Sequence, residues 1–182
     1  DGRILMKILM IDDTTPLNMA LKDAFIQKGW DITVAGTDLN DSQSILDTLK
    51  LADDVDFCLN NKYTMQDGIK NEVHGQAKLS EIFLDKWDRN SVKYIINMID
   101  MCALIEPEDW TGSKQYRSDN VMFNAITTVF NARAEGPNLC NAYMDRDDMI
   151  EAHVKLFTHV IENSKRVWPS QLILNKPLGV SA

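Results

Sequence analysis

The stretch over residues 7–28 is the feature that most constrains how this chain can fold. Residues 8–11 are all apolar and predict a buried strand. After a short polar turn, apolar residues recur at helical spacing, and Pro16 and Gly29 stand where a helix commonly begins and ends. A strand that leads through a short turn into a helix is the first half of a βαβ unit. In such units the turn and the helix N-terminus commonly hold a phosphate.

Strand-like and helix-like segments alternate along the rest of the chain. Further strands are predicted at residues 30–34, 56–59, 92–98, 138–142 and 171–174, and further helices at residues 42–50, 67–88, 114–133 and 150–161. Parallel strands with helices packed on both faces are the simplest arrangement for this order. We therefore predict one domain over residues 1–182, an α/β fold with a three-layer, doubly wound parallel sheet of Rossmann type.

The composition narrows the class of partner. A net charge of −8 and a pI near 4.8 disfavour nucleic acid and anionic membrane surfaces, which attract basic proteins. No apolar run reaches the roughly 18 residues of a spanning helix, so no membrane segment is predicted.

Cys58, Cys102 and Cys140 lie far apart in apolar contexts and predict buried, reduced thiols, which favours the cytoplasm or a particle assembled there. Residues 1–5 resemble a processed or added start, because Met6 would be a natural beginning.

Five short stretches resemble, in order, the motifs of one enzyme family. They are IDDTTPLN at residues 11–18, DLND at 38–41, NNKY at 60–63, IINMID at 95–100 and YRSDN at 116–120. In the same order, they are similar to the TGxxxGxG turn, the DxxD turn, the NNAG motif, the serine-bearing strand and the YxxxK motif of short-chain dehydrogenases/reductases. Over nearly its whole length the chain resembles the compact members of that family, and the resemblance implies their Rossmann-type fold and an NAD(P) site.

The resemblance places the cofactor-binding positions at Asp12, Pro16, Asn18, Asp38, Leu39 and Asn60. Three of these, Asp12, Pro16 and Asn18, replace the glycines that let the backbone approach the diphosphate. Asp12 puts a carboxylate where the diphosphate would sit, and two unit charges about 4 Å apart repel by roughly 4 kcal/mol at an effective dielectric constant of about 20. Because that energy corresponds to about a thousandfold in affinity, we expect no cofactor, with NAD(P) as the cofactor if an active site survives.

The resemblance places the catalytic positions at Tyr116, Asp100 and Asn120. Tyr116 remains as a potential acid, but the lysine that would stabilise its phenolate has become Asn120. The family's serine has become Asp100, or Ile99 if the alignment slips by one residue, and an ionised Asp100 would repel a developing oxyanion. These substitutions predict a vestigial, inactive site and leave open whether the chain is an enzyme.

Three functions are compatible with these motifs. The preferred one is a non-catalytic relative of the family, a pseudoenzyme that acts through protein contacts as a structural or regulatory subunit. By resemblance, helices 67–88 and 114–133 would pair in a homo-oligomer, which could belong to a larger assembly. The alternative is an NAD(P)-dependent oxidoreductase that uses Tyr116, with Lys114 replacing the lost lysine. The third is an adenosine sensor that uses residues 38–41.

Two further patterns leave simpler explanations open. Asp12 and Asp13 resemble the acidic pair of receiver domains, but the phosphoacceptor position falls on Asn60, which cannot be phosphorylated. Asp13 could equally cap the following helix. Asn60 and Asn61 either position a cofactor or satisfy backbone groups at a strand end. No metal site is predicted, since His74, His153 and His159 lack ligand spacing.

Overall fold

The computed structural model describes residues 5–62, 79–80, 83, 87, 93–100, 138–144 and 149–174. In chain order, the elements in these ranges are β1 (Lys7–Met10), α1 (Pro16–Gln27), β2 (Asp31–Val34), α2 (Ser42–Leu51), a short 3-10 helix (Ala52–Asp54), β3 (Phe57–Asn60), β4 (Tyr94–Asp100), β5 (Asn138–Met144), α3 (Ile150–Glu162) and β6 (Gln171–Leu174). Each strand that the sequence predicts is present. The strands form one six-stranded parallel sheet in the order β2-β1-β3-β4-β5-β6.

The residues of β1 are buried on both faces of this sheet. Ile8 and Met10 contribute to one hydrophobic core, and Leu9 and Ile11 contribute to the other. Successive strand residues point to opposite faces, so a strand that is covered on both faces needs an unbroken apolar run. This is why the apolar run predicts the strand correctly.

The first core lies between the sheet and the two helices α1 and α3, which pack against each other. Leu17, Leu21 and Phe25 recur every four residues along α1, so they share one face of the helix, and each is at most 1% exposed. Phe157 and Ile161 of α3 extend the same core. Burying an apolar side chain of this size stabilises the fold by about 1.5–3 kcal/mol.

The second core covers the opposite face. Ile45 and Leu49 of α2 pack there, together with Leu79, Phe83 and Trp87 from the following part of the chain. The rings of Phe83 and Trp87 stack with their centroids 4.7 Å apart. Helical residues therefore cover both faces of the sheet, which confirms the predicted three-layer, doubly wound α/β fold.

The strand order reverses next to β1. The chain passes from β1 to β2 on one side, and then returns to β3 on the other side. In open α/β sheets, ligands bind in the crevice beyond the carboxyl ends of the strands at such a point. A functional site is therefore expected at the turn after β1 and at the residues after β3.

Some element boundaries differ from those that the sequence predicts. β3 includes Asn60, and β4 and β5 each continue two residues further than predicted, to Asp100 and Met144. Asp41 caps α2, because its carboxylate accepts from the amides of Gln43 and Ser44. The predicted helices 67–88, apart from a few core residues, and 114–133 lie outside the described residues. No helix in the described ranges is long and apolar enough to cross a membrane.

Candidate functional site at the carboxyl edge of the sheet

The Asp12 carboxylate lies in the turn between β1 and α1, where the chain itself supplies its hydrogen bonds. Asp12 is only 6% exposed. The Thr14 amide donates to its Oδ2 over 3.1 Å, and the Thr14 hydroxyl lies 2.9 Å from each carboxylate oxygen. The Asn18 side-chain amide donates to the same Oδ2 over 3.1 Å. In a βαβ unit, the donors of this turn commonly bind a phosphate. Here they donate to the Asp12 carboxylate instead.

Two of the first amides of α1 are also engaged. Thr15 is the N-cap residue, and its hydroxyl accepts from the Asn18 amide over 3.1 Å. Its carbonyl accepts from the Met19 amide over 2.9 Å. Pro16 has no amide hydrogen to offer. The start of this helix therefore has few backbone donors left for an incoming anion.

Asp13 does not cap α1, so that interpretation of the acidic pair is wrong. Its carboxylate pairs with Lys22 at 2.6 Å. Thr15 directly precedes the helix, and its hydroxyl bonds the amide of the third helical residue, which is the usual capping geometry.

Asn61 joins the end of β3 to the end of β1. Its Oδ1 accepts from the amides of Ile11 and Asp12 over 3.1 and 3.0 Å, and its Nδ2 donates to the Asp12 carbonyl over 2.8 Å. The Asn18 side chain completes the connection by donating to the Asn61 carbonyl over 3.0 Å. Asn61 therefore satisfies backbone groups at a buried strand end, as one of the two interpretations of this position expects.

A row of buried asparagines crosses the three neighbouring strands β3, β4 and β5. Asn60 pairs in register with Asn97, which pairs in register with Asn141. The Asn60 amide donates to Asn97 Oδ1 over 3.0 Å, and the Asn97 amide donates to Asn141 Oδ1 over 3.1 Å. The Ser80 hydroxyl also donates to Asn97 Oδ1, over 3.1 Å. Each member is at most 2% exposed, so this network lies inside the protein.

The end of β2 carries the acidic turn that aligns with the adenine-contacting turn of the family. Asp38 is exposed, and its carboxylate accepts from the Asn40 amide over 2.9 Å. Leu39 is buried in the second core. The Lys62 ammonium reaches across from the end of β3 and donates to the Thr37 carbonyl over 2.9 Å. This part of the edge therefore carries both an exposed carboxylate, that of Asp38, and a cation, that of Lys62.

The structure brings together only some of the aligned cofactor positions. Asp12 and Asn18 are in direct contact, while Pro16 lies on the exposed side of the same turn. Among the aligned catalytic positions, Asp100 is the last residue of β4, and its side chain lies outside the described residues. Tyr116 and Asn120 lie outside them as well.

Asn97 and Asn141 were not predicted from the sequence to belong to a buried network. Both lie within strands that were recognised by their apolar residues. A signal was nevertheless present, because an asparagine stands at the centre of each of two otherwise largely apolar strands. A buried amide needs hydrogen-bonding partners, so such interruptions indicate that the strands meet at those positions.

The described residues contain few groups that are suited to metal binding or redox chemistry. The described ranges contain no group of three or more His, Cys, Asp or Glu residues that could hold a metal ion. Cys58 and Cys140 are free and buried. Burial raises the pKa of the Cys140 thiol to about 12 and raises the pKa of Cys58 above its usual range, since desolvation disfavours the thiolate.

No protein-family model and no curated protein sequence matches this chain. Many solved structures match it instead. Serine dehydrogenase from Escherichia coli superimposes with a TM-score of 0.67 at 12% identity, over 97% of this chain and 100% of that one. A short-chain dehydrogenase/reductase from Vibrio parahaemolyticus gives a TM-score of 0.70 at 10% identity, over 93% and 100%. A short-chain dehydrogenase from Burkholderia cenocepacia, solved with NADP, gives 0.64 at 9% identity, over 97% and 90%.

These likenesses establish the fold. The chain has the Rossmann-like architecture of short-chain dehydrogenases/reductases, as the order and spacing of its motifs predict. At identities this low, the likeness says nothing by itself about cofactor or reaction.

Proposed function

We propose that this chain is a non-catalytic protein with a short-chain dehydrogenase-like fold, which acts through protein contacts as a structural or regulatory subunit. The observation that carries the proposal is the environment of Asp12. Its carboxylate receives hydrogen bonds from Thr14 and Asn18 in the turn where such folds bind a cofactor diphosphate. The fold is kept, while its usual anion site is filled by the protein's own anion.

A dinucleotide would meet two obstacles in this turn. Its diphosphate would have to break the hydrogen bonds that Asp12 now receives, each of which contributes about 1.5–3 kcal/mol when one partner is charged. It would also lie near the Asp12 carboxylate, where like charges repel by roughly 4 kcal/mol at 4 Å and an effective dielectric constant of about 20. Either effect alone reduces affinity by about tenfold or more.

The proposed partners are proteins. We propose that the chain forms a homo-oligomer through helices 67–88 and 114–133, with two-fold pairing as the commonest geometry, and that it can join a larger assembly. A net charge of −8 argues against nucleic acid and anionic membranes as partners. The free, buried thiols of Cys58 and Cys140 fit a reducing compartment, which supports the cytoplasm or a particle assembled there.

Equilibrium dialysis against NADH, NADPH and adenosine tests this proposal. We expect no measurable binding of any of the three at ligand concentrations of about 1 mM, and no oxidation of NADPH with a panel of carbonyl compounds. Sedimentation of the same sample should show an oligomer. Binding of a dinucleotide at sub-millimolar concentration, or turnover with any carbonyl substrate, would overturn the proposal.

A second candidate function is an NAD(P)-dependent oxidoreductase with an altered site. Two observations favour it: the fold is shared with proteins solved with NAD or NADP, and the Lys62 ammonium brings a positive charge to the edge where a phosphate would lie. In the dialysis experiment, this candidate requires a dinucleotide to bind. A response to adenosine alone would instead support a sensor that uses the turn at residues 38–41.

A further inference from the structure

A cavity lies at the opposite edge of the sheet, beyond the amino ends of the strands. Its volume is about 290 Å³, at the lower end of the range for small-molecule sites. Its walls come from four separate places in the chain: the residues before β1, the starts of β3 and β4, and the turn after α3. This cavity is remote from the turn that holds Asp12, so a ligand could occupy it whether or not the proposed function is correct.

The walls of this cavity carry opposite charges that do not pair with each other. Asp56 and Lys165 both line it, yet they form no ion pair. Asp56 accepts from the Lys7 amide over 3.0 Å through Oδ2, and no hydrogen bond in the described structure engages its Oδ1. Lys165 is exposed and has no carboxylate partner among the described residues. Asp56 and Lys165 therefore line the same cavity without forming an ion pair with each other, and the Lys7 ammonium, which pairs with Asp54, is the other cation that acts on Asp56.

Two lysines of the neighbouring strands are already engaged. The Lys7 ammonium pairs with Asp54 at 2.6 Å, and the Lys93 ammonium donates to the Val55 carbonyl. Among the described residues, Lys165 is the one cation that lines the cavity itself.

A buried hydroxyl and an apolar wall complete the lining. Ser164 is 5% exposed, and its Oγ has no hydrogen-bonding partner within the described part of the chain. A buried hydroxyl without a partner is unfavourable, and a change of one χ1 rotamer redirects it. On the other side, Phe57 and Tyr94 stack with ring centroids 4.6 Å apart, and Met6 lies beside them. The lining of the cavity thus combines polar groups with apolar surface.

We propose that this cavity binds a small zwitterion, an α-amino acid with an apolar side chain. Its ammonium group would pair with Asp56, and its carboxylate would pair with Lys165 and accept from the Ser164 hydroxyl. Its side chain would pack against Met6 and the edges of the Phe57 and Tyr94 rings. A simple anion would leave Asp56 facing a like charge, and a simple cation would do the same to Lys165, so only a ligand with both charges matches both walls.

Calorimetric titration of the full chain with L-leucine and L-phenylalanine tests the proposal. The matched probes are 4-methylpentanoate, which lacks the ammonium group of leucine, and isoamylamine, which lacks its carboxylate. We expect an amino acid to bind with a dissociation constant on the order of 1 mM or tighter, and each single-charge probe to bind at least about fivefold more weakly. Backbone amide signals of Asp56, Tyr94 and Lys165 should shift on binding.

Charge-neutralising variants locate the site. Lys165→Gln and Asp56→Asn should each weaken amino-acid binding by about fivefold or more, because each removes one charge partner and keeps the side-chain size. Lys155→Gln is the control, since Lys155 pairs with Glu151 on an exposed face of α3, away from the cavity. The proposal is wrong if neither amino acid gives heat or NMR shifts at about 10 mM, if the single-charge probes bind equally well, or if the two cavity variants bind like the control.

Discussion

Asn18 donates its side-chain amide to the Asp12 carboxylate over 3.1 Å and to the Asn61 carbonyl over 3.0 Å. One buried side chain in the first turn of α1 therefore holds together the ends of two neighbouring strands. A glycine at this position would leave the backbone open to a ligand, whereas the asparagine closes the turn with internal bonds. The polar groups around Asp12 are thereby used for structure.

The first prediction concerns the stability that Asp12 provides. Asp12→Ala removes the acceptor of the Thr14 amide, the Thr14 hydroxyl and the Asn18 side chain. Leaving the buried Asn18 donor without this acceptor costs about 1–3 kcal/mol, and each bond lost from the exposed Thr14 adds about 0.5–1.5 kcal/mol. We expect the free energy of unfolding to fall by about 3 kcal/mol, as measured by urea denaturation.

The neighbouring carboxylate is the matched control for that measurement. Within the described residues, Asp13 pairs only with Lys22, and both side chains are about one-third exposed. Exposed ion pairs contribute about 0–1 kcal/mol, so Asp13→Ala should change stability by less than about 1 kcal/mol. Equal effects of the two substitutions would show that the hydrogen bonds of Asp12 are not important for the fold.

The second prediction concerns the asparagine row. Asn97→Leu keeps the branched shape of the side chain but removes the partner of Asn60, Ser80 and Asn141. Because all these groups are buried, we expect a loss of about 3 kcal/mol in the free energy of unfolding. Asn40→Leu, at an exposed turn position, should change it by less than about 0.5 kcal/mol.

A double-mutant cycle separates pairing from mere burial in this row. Asn97→Leu and Asn141→Leu should show a coupling energy of about 1 kcal/mol, since each removes the same 3.1 Å hydrogen bond. Additive effects would mean that the two side chains contribute independently.

The third prediction concerns thiol reactivity. In a Cys102→Ala background, the only remaining thiols are Cys58 and Cys140, which are buried and have raised pKa values. Because a thiol with a raised pKa is almost fully protonated at pH 8, and the thiolate is the nucleophile, neither should react with a disulfide reagent in the folded protein. Both should react promptly in denaturant. Rapid labelling of the native protein at pH 8 would contradict the described burial.

Much of the fold could be predicted from the sequence because it depends on local patterns. The apolar run at residues 8–11 and the four-residue spacing of Leu17, Leu21 and Phe25 each indicate their element without knowledge of the rest. The order of motifs then identified the Rossmann-type arrangement, which the solved structures confirm. Boundaries were less accurate, since strands continue past their apolar residues when neighbouring strands pair with them.

The contacts of the candidate site could not be predicted in the same way. Asn60, Asn97 and Asn141 are far apart in the sequence, and only the register of three strands brings them together. The cavity beyond the amino ends of the strands forms in the same way, because Asp56 and Lys165 both line it only after the sheet and α3 have assembled. The position of Asp12 was visible in the sequence, but the donors that hold it in place were not.

A crystal structure of the protein grown with saturating NADP tests the proposed loss of the cofactor site most directly. We predict that the Asp12 carboxylate keeps its bonds from Thr14 and Asn18 at the start of α1, and that no diphosphate is bound there. A diphosphate bound at the N-terminus of α1, with Asp12 displaced from Thr14 and Asn18, would contradict a non-catalytic role for this fold.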